Sequence, residues 1–262
     1  MKDYISDFHF MINGPGSDDD KSRRLFFALE EIKDITSSGL FAADCLVTWA
    51  KSLSFLEDGA FVESINRQLD NNLRLSNHLE HNRVLRGILW RKHVMCWAAE
   101  YCLRVDGDYA EVGCYMGDSV KVIIDYTNFR NTNKTYWLYD MFDNDGTISE
   151  KFAQHSGTMY QEVVESFRDI PNVRVIKGKA PESFSQGRPF KIAFLHVDMN
   201  NAPSERAALE ELYESVAPSG IIIFDDYGWV QYRPQKDTID QFLGKYGRRV
   251  LELPTGQGFF IK

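Results

Sequence analysis

The stretch Tyr109-Ala110-Glu111-Val112-Gly113-Cys114-Tyr115-Met116-Gly117 runs from a short apolar strand into a glycine turn. Ser119 to Tyr126, just beyond it, has the spacing of a helix. A strand, a glycine turn and a helix in that order make a site where a helix N-terminus meets a ligand. The turn is not G-x-G-x-x-G, because Tyr115 stands where a dinucleotide site keeps its second glycine. A ligand without a pyrophosphate suits it better. Two glycines needed only for packing would leave the same pattern.

The alternation continues downstream. Strand-like runs at Thr135 to Tyr139, Val173 to Ile176, Ile192 to Val197 and Ile221 to Phe224 are separated by helical stretches near Gln161 to Arg168 and Ser204 to Val216. The apolar runs suit strands covered on both faces, and the alternation implies a parallel sheet with right-handed crossovers. At the end, Arg249 to Leu253 and Phe259 to Ile261 flank Pro254-Thr255-Gly256-Gln257-Gly258. So short a link permits a hairpin and forbids a parallel crossover, so the sheet should finish on a reversed strand.

Upstream the pattern differs. Met1 to Asp20 is polar and turn-rich, an arm, and helical spacing dominates Ser22 to Asn82. Trp90, Val94, Trp97 and Tyr101 fall at i, i+4, i+7 and i+11, which predicts a helix laying those side chains on the sheet. The expected organisation is an arm and helical segment over 1–85 and an α/β domain over 86–262.

Candidate site residues gather at strand ends, where open α/β sheets bind ligands. Asp140 ends the second strand, where a carboxylate can hold both hydroxyls of a ribose; a helix cap or surface carboxylate is the plainer reading. Tyr115, Asp118 and Ser119, at the turn and the helix start, join the cofactor set. Asp198 follows one apolar strand and Asp225-Asp226 the next. If those strands are neighbours, about 4.8 Å apart, three carboxylates crowd one spot, and a divalent cation such as Mg²⁺ would relieve the repulsion. Otherwise Asp225 or Asp226 caps a turn and Asp198 serves the cofactor alone. His196 alternates onto the same side as Asp198, so both are catalytic candidates, although a histidine inside such a strand is commonly a packed core residue. Tyr227, Trp229 and Tyr232 could wall a substrate pocket or cover the sheet edge, and His155 has no assigned role.

Composition narrows the partners. A net charge of −8 over 262 residues, without a basic stripe interleaved with aromatics, argues against nucleic acid. No apolar stretch nears membrane-spanning length, and Met1 to Phe10 has no signal-peptide core. Cys45, Cys96, Cys102 and Cys114 are scattered without a C-x-x-C pair, which suits a reducing compartment. The expectation is a cytoplasmic protein acting on a small molecule, assembled as a homo-oligomer by analogy with other small cofactor enzymes.

Several stretches together resemble the macrocin O-methyltransferase family: Arg86-Gly87-Ile88-Leu89-Trp90-Arg91, Trp97-Ala98-Ala99-Glu100, Glu111 to Gly117, Tyr139-Asp140-Met141-Phe142-Asp143, His196-Val197-Asp198, Phe224-Asp225-Asp226-Tyr227-Gly228-Trp229 and Leu253 to Gly258. They span residues 86 to 262. The resemblance implies a Rossmann-like S-adenosylmethionine methyltransferase sheet, mostly parallel with a reversed final strand. It also implies methylation of a hydroxyl on a sugar or other polyhydroxylated acceptor. By it, Glu111, Gly113 and Gly117 surround the cofactor's methionine end and Asp140 holds the ribose. Asp198, Asp225 and Asp226 match the family's Mg²⁺ ligands. Some members carry a second Asp two residues after the first ligand, as general base; this chain has Asn200. A carboxamide cannot take that proton, which keeps an amine acceptor open. Two readings from other classes stand beside these: a nicotinamide oxidoreductase on a similar sheet and a non-catalytic methyltransferase-like binding module.

Overall fold

The computed structural model describes residues 41–48, 51–74, 78–142 and 158–262. The expected arm over Met1 to Asp20, and His155, lie outside them. The chain divides into two compact units, 1–53 and 54–262.

In the first unit, β1 (Phe41–Ala43) and β2 (Leu46–Thr48) pair as an antiparallel hairpin, Ala43 opposite Leu46. This departs from the helical reading of that stretch. The two linking residues, Asp44 and Cys45, both have φ of +55°. Left-handed backbone at both central positions gives a turn whose twist matches its strands.

The second unit begins with α1 (Gly59–Asn72), α2 (His78–Gly87) and α3 (Leu89–Cys102). Asp58 caps α1, its carboxylate accepting from the amides of Ala60 and Phe61 at 2.9 and 3.3 Å. There follow β3 (Asp108–Val112), α4 (Asp118–Tyr126), β4 (Tyr136–Asp140), α5 (Met159–Ser166), β5 (Val173–Lys177) and β6 (Ile192–Val197). The chain closes with α6 (Ala202–Leu212), β7 (Val216–Phe224), α7 (Arg233–Gly244), β8 (Leu251–Glu252) and β9 (Gly258–Ile261).

The sheet order is β5-β4-β3-β6-β7-β9-β8. β5 through β7 are parallel, and β9 runs antiparallel to β7, so the expected reversal is present. The helix expected to run to Val216 stops at Leu212, and Val216 already pairs with Ile192. Every residue of β6 is buried, as is Ile221 to Phe224, consistent with strands covered on both faces. Ala208, Leu209, Leu212, Ile239, Phe242 and Leu243 of α6 and α7 form a core with Ala110, Val112, Leu195 and Ile222 on one face.

The other face carries the chemistry. Strand register sets Glu111 beside His196 and His196 beside Ile223. Side chains alternate with period two, so Asp198 and Asp225, two residues on, continue the row on the same face. α3 packs here, but not as expected. Trp97 and Tyr101 are 49% and 41% exposed and stack on each other at 5.9 Å. The buried row is Arg91, Met95, Ala98 and Cys102, the same spacing displaced by one residue. Ala98 and Ala99, with no side chain beyond Cβ, let the helix approach the strands closely; two aromatics could not fit there.

Candidate functional site

A cavity of about 580 Å³ opens at the carboxyl ends of β3, β4, β6 and β7. Glu111, Gly113, Tyr115, Asp118, Ser119, Asp140, Asp198, Asp225 and Asp226 all line it. His196 and Gly117 do not.

The glycine turn is built by packing as much as by ligand approach. Gly113 has φ of +88°, and a Cβ there would lie 1.8 Å from the Asp198 carbonyl oxygen. Gly117, at φ of +71°, precedes α4, and a Cβ on it would meet the Phe167 ring at 2.7 Å. Asp140 accepts from the amides of Tyr115 and Phe142, both at 2.8 Å, which fixes its carboxylate at the cavity wall. Asp118 turns the other way: it accepts from Gln68 at 2.9 Å and faces His81 Nδ1 at 3.5 Å. Burial pushes its carboxyl up, but the His81 contact and Lys121 outweigh that and hold it below the usual range. His81 also stacks on Tyr115, ring centroids 6.2 Å apart.

Beneath the cavity is a charged row. His196, 0% exposed, sits between Glu111 Oε1 at 3.3 Å from Nδ1 and Asp225 Oδ1 at 3.4 Å from Nε2. Burial lowers the ring's pKa, but the two carboxylates outweigh it and push it up to about 10, so the imidazole is a cation. Arg91 pairs with Asp225 and lies 3.7 Å from Asp226, its guanidinium over the Trp229 ring. Gln257 Nε2 donates to Asp225 Oδ1 at 3.2 Å, and Thr255 Oγ1 donates to Gln257 Oε1 at 3.1 Å. Asp225 is therefore held well below the carboxylate range against the cost of burial, chiefly by Arg91 and His196. Asp226 is pushed up to about 7 by burial and by Asp225. Asp198 is raised well above its usual range by burial and by both neighbours.

Ligand atoms of His196, Asp198 and Asp225 come within 4.8 Å of one another. Asp226 is outside that tight group. Four carboxyl groups (Glu111, Asp198, Asp225, Asp226) thus face two cationic side chains, Arg91 and His196. The set lacks two positive charges, which two protons or one divalent ion would supply. Oxygen donors at the cavity wall are the chemistry a hard cation takes, so the residues present fit Mg²⁺.

Three participants were not among the sequence candidates. In the sequence reading Arg91 has no site role beyond the resembling stretch Arg86 to Arg91 and Lys92 has none, because the aromatic row beside them suggested another buried face. Gln257 lay in a stretch read for its turn and its resemblance alone. Its signal was the glycine on each side, which lets a side chain enter between close backbones. Gly256 and Gly258 would clash with Trp229 and Tyr227 respectively if either carried a Cβ.

Residues 110–227 match the family model described as a methyltransferase domain. No curated protein sequence matches the chain. Among solved structures, the O-methyltransferase NovP is 21% identical, with a TM-score of 0.55 over 68% of this chain and 81% of that one. The calicheamicin methyltransferase CalS11 is 14% identical, with a TM-score of 0.55 over 76% of this chain and 91% of that one. At such identities the likeness shows the fold: an α/β Rossmann-like methyltransferase sheet. The methyltransferase-domain match covers the sheet from β3 through β7 and agrees with that fold.

Proposed function

We propose that this chain is an S-adenosylmethionine-dependent, Mg²⁺-assisted O-methyltransferase acting on a sugar or another small polyhydroxylated acceptor. The observation that carries the reading is the crowding of carboxyl groups at the cavity wall, where the only cations ion-paired with Glu111, Asp198, Asp225 and Asp226 among the described residues are Arg91 and His196. Asp198, Asp225 and Asp226 would hold the cation, with Asp225 already oriented by Arg91, Gln257 and His196. A bound divalent ion supplies Lewis acidity, lowering the pKa of a substrate hydroxyl and fixing its direction. His196 is enclosed on both ring nitrogens and absent from the cavity wall, so it acts as a positioning cation for Glu111 and Asp225. Asp198 is the carboxyl group of the catalytic pair that reaches the cavity.

For the cofactor, Asp140 at the cavity wall would hold the ribose hydroxyls, and Glu111 offers Oε2, a buried oxygen without a hydrogen-bond partner. Gly113, Tyr115 and Ser119 line the space between them. The acceptor would meet Trp229, Gln231, Tyr232, Asn200, Asn201 and Ser204, which also line the cavity. Aromatic faces beside amide and hydroxyl groups suit the sugar part of a polyol, and CalS11 is described as methylating a TDP-linked rhamnose. Asn200 Oδ1 is buried without a partner and its backbone is left-handed, φ +52°. Such an oxygen can accept a hydrogen bond from a substrate but cannot remove its proton, which leaves activation to the cation.

Transfer of labelled methyl groups to a panel of glycosides with vicinal hydroxyls tests this, before and after chelation. The expected result is O-methyl product that disappears with chelator and returns with Mg²⁺. Undiminished turnover without metal would remove the cation from the account; methylation confined to amines would replace the acceptor class.

A further inference from the structure

Lys92 is 6% exposed, yet it lines the cavity. It follows Arg91 on α3 but points to a different place. Its Nζ contacts Ser119 Oγ in the first turn of α4, and it makes no ion pair among the described residues. No carboxylate of the described residues lies within ion-pair distance of it, and Asp118 and Asp225 act on it only from further off. The first-turn amides of α4 add positive potential, since they have no partners within the helix. Asp118 feels the Lys92 charge but directs its carboxylate at Gln68 and His81, so it makes no direct pair with Lys92. In the same cavity, Glu111 has Oε1 committed to His196 and presents Oε2 buried and unpartnered. Lys92 thus has no directly paired anion and Glu111 Oε2 no donor.

We propose that Lys92, with Ser119, binds the carboxylate of the cofactor's amino-acid end while Glu111 Oε2 takes its ammonium. Lys92 is then the residue that distinguishes S-adenosylmethionine from nucleosides lacking that carboxylate. The assignment rests on the cofactor reading above. A zwitterion fits because it answers both unmet charges at once, whereas a simple anion or amine answers one. Burial makes the pairing strong: hydrogen bonds between charged groups out of water contribute more than neutral ones.

The test is calorimetric titration of wild type, Lys92→Met and Lys92→Arg with three ligands: S-adenosylmethionine, its decarboxylated analogue, and 5′-methylthioadenosine. Methionine keeps the apolar stem and removes the charge. The expected result is a roughly 10- to 100-fold loss of S-adenosylmethionine affinity in Lys92→Met. Binding of the other two ligands should stay within about twofold, and arginine should recover part of the loss. Equal losses for all three ligands, or no loss for S-adenosylmethionine, would overturn the assignment. Should Lys92→Met not fold, wild type alone decides: similar affinities for S-adenosylmethionine and its decarboxylated analogue would overturn it. Wild type binding all three ligands with similar affinity removes only the Lys92 role. Wild type binding none of the three removes the cofactor reading itself, and the assignment with it.

Discussion

Gly113 is required by its neighbour across the sheet: the carbonyl of Asp198 occupies the space a side chain would need. Gly113→Ala should therefore cost about 3 kcal/mol or more in stability, from clash and left-handed strain together. Thermal unfolding checks this, and a variant that melts like wild type would contradict the packing. The glycines were legible in the sequence, but their reason was not, because it depends on β6 passing beside β3. Arg91 was legible only as a charge. Buried against Asp225 and Asp226, it is part of a network whose interruption leaves carboxylates uncompensated. Arg91→Met should lose about 3–5 kcal/mol, and millimolar Mg²⁺ should raise the variant's melting temperature more than that of wild type. Equal melting temperatures for variant and wild type without metal would contradict the pairing.

At the scale of elements, α3 shows how a helix can be placed correctly and turned wrongly. Its apolar spacing was read on Trp90, Val94, Trp97 and Tyr101, whereas the buried row is one residue later, about 100° around the axis. Large aromatics outweigh alanines in any apolar count, yet the small residues mark the close contact. With that rotation, Arg91 and Lys92 pass from surface to cavity. Strands were easier, since period two and register place Glu111, His196, Asp198 and Asp225 on one face once the neighbours are known. Between α6 and α7, Gln235 donates to Glu205, a buried carboxyl pushed up to about 8 by desolvation. Its unfolded value is near 4.5. The folded state therefore holds the proton more tightly, so stability is greatest below pH 4.5 on this account and falls as pH rises toward 8. The slope for this one group reaches at most about 1.4 kcal/mol per pH unit. Glu205→Gln should flatten that part of the stability profile relative to wild type; an unchanged difference between pH 5 and 8 would contradict the burial.

For the whole molecule, the parallel sheet and its reversed strand were legible because an apolar strand and a hairpin link each have a local signature. The Phe41–Thr48 hairpin was not, since three-residue strands carry too little alternation to outweigh surrounding helical spacing. No helix among the described residues is long and apolar enough to cross a membrane. Cys96, Cys102 and Cys114 are buried and Cys45 exposed, all as free thiols. The cavity's composition was half legible: carboxylates that end strands announce themselves, as does His196 by its alternation with Asp198, while Arg91 arrives from α3 by tertiary packing alone. The most direct test of the account is titration of the full chain with S-adenosylmethionine, with and without Mg²⁺, beside NADH. The account predicts micromolar binding of S-adenosylmethionine, weakened at least about tenfold by Asp140→Ala through loss of its hydrogen bonds to the ribose. NADH binding with none for S-adenosylmethionine would contradict it.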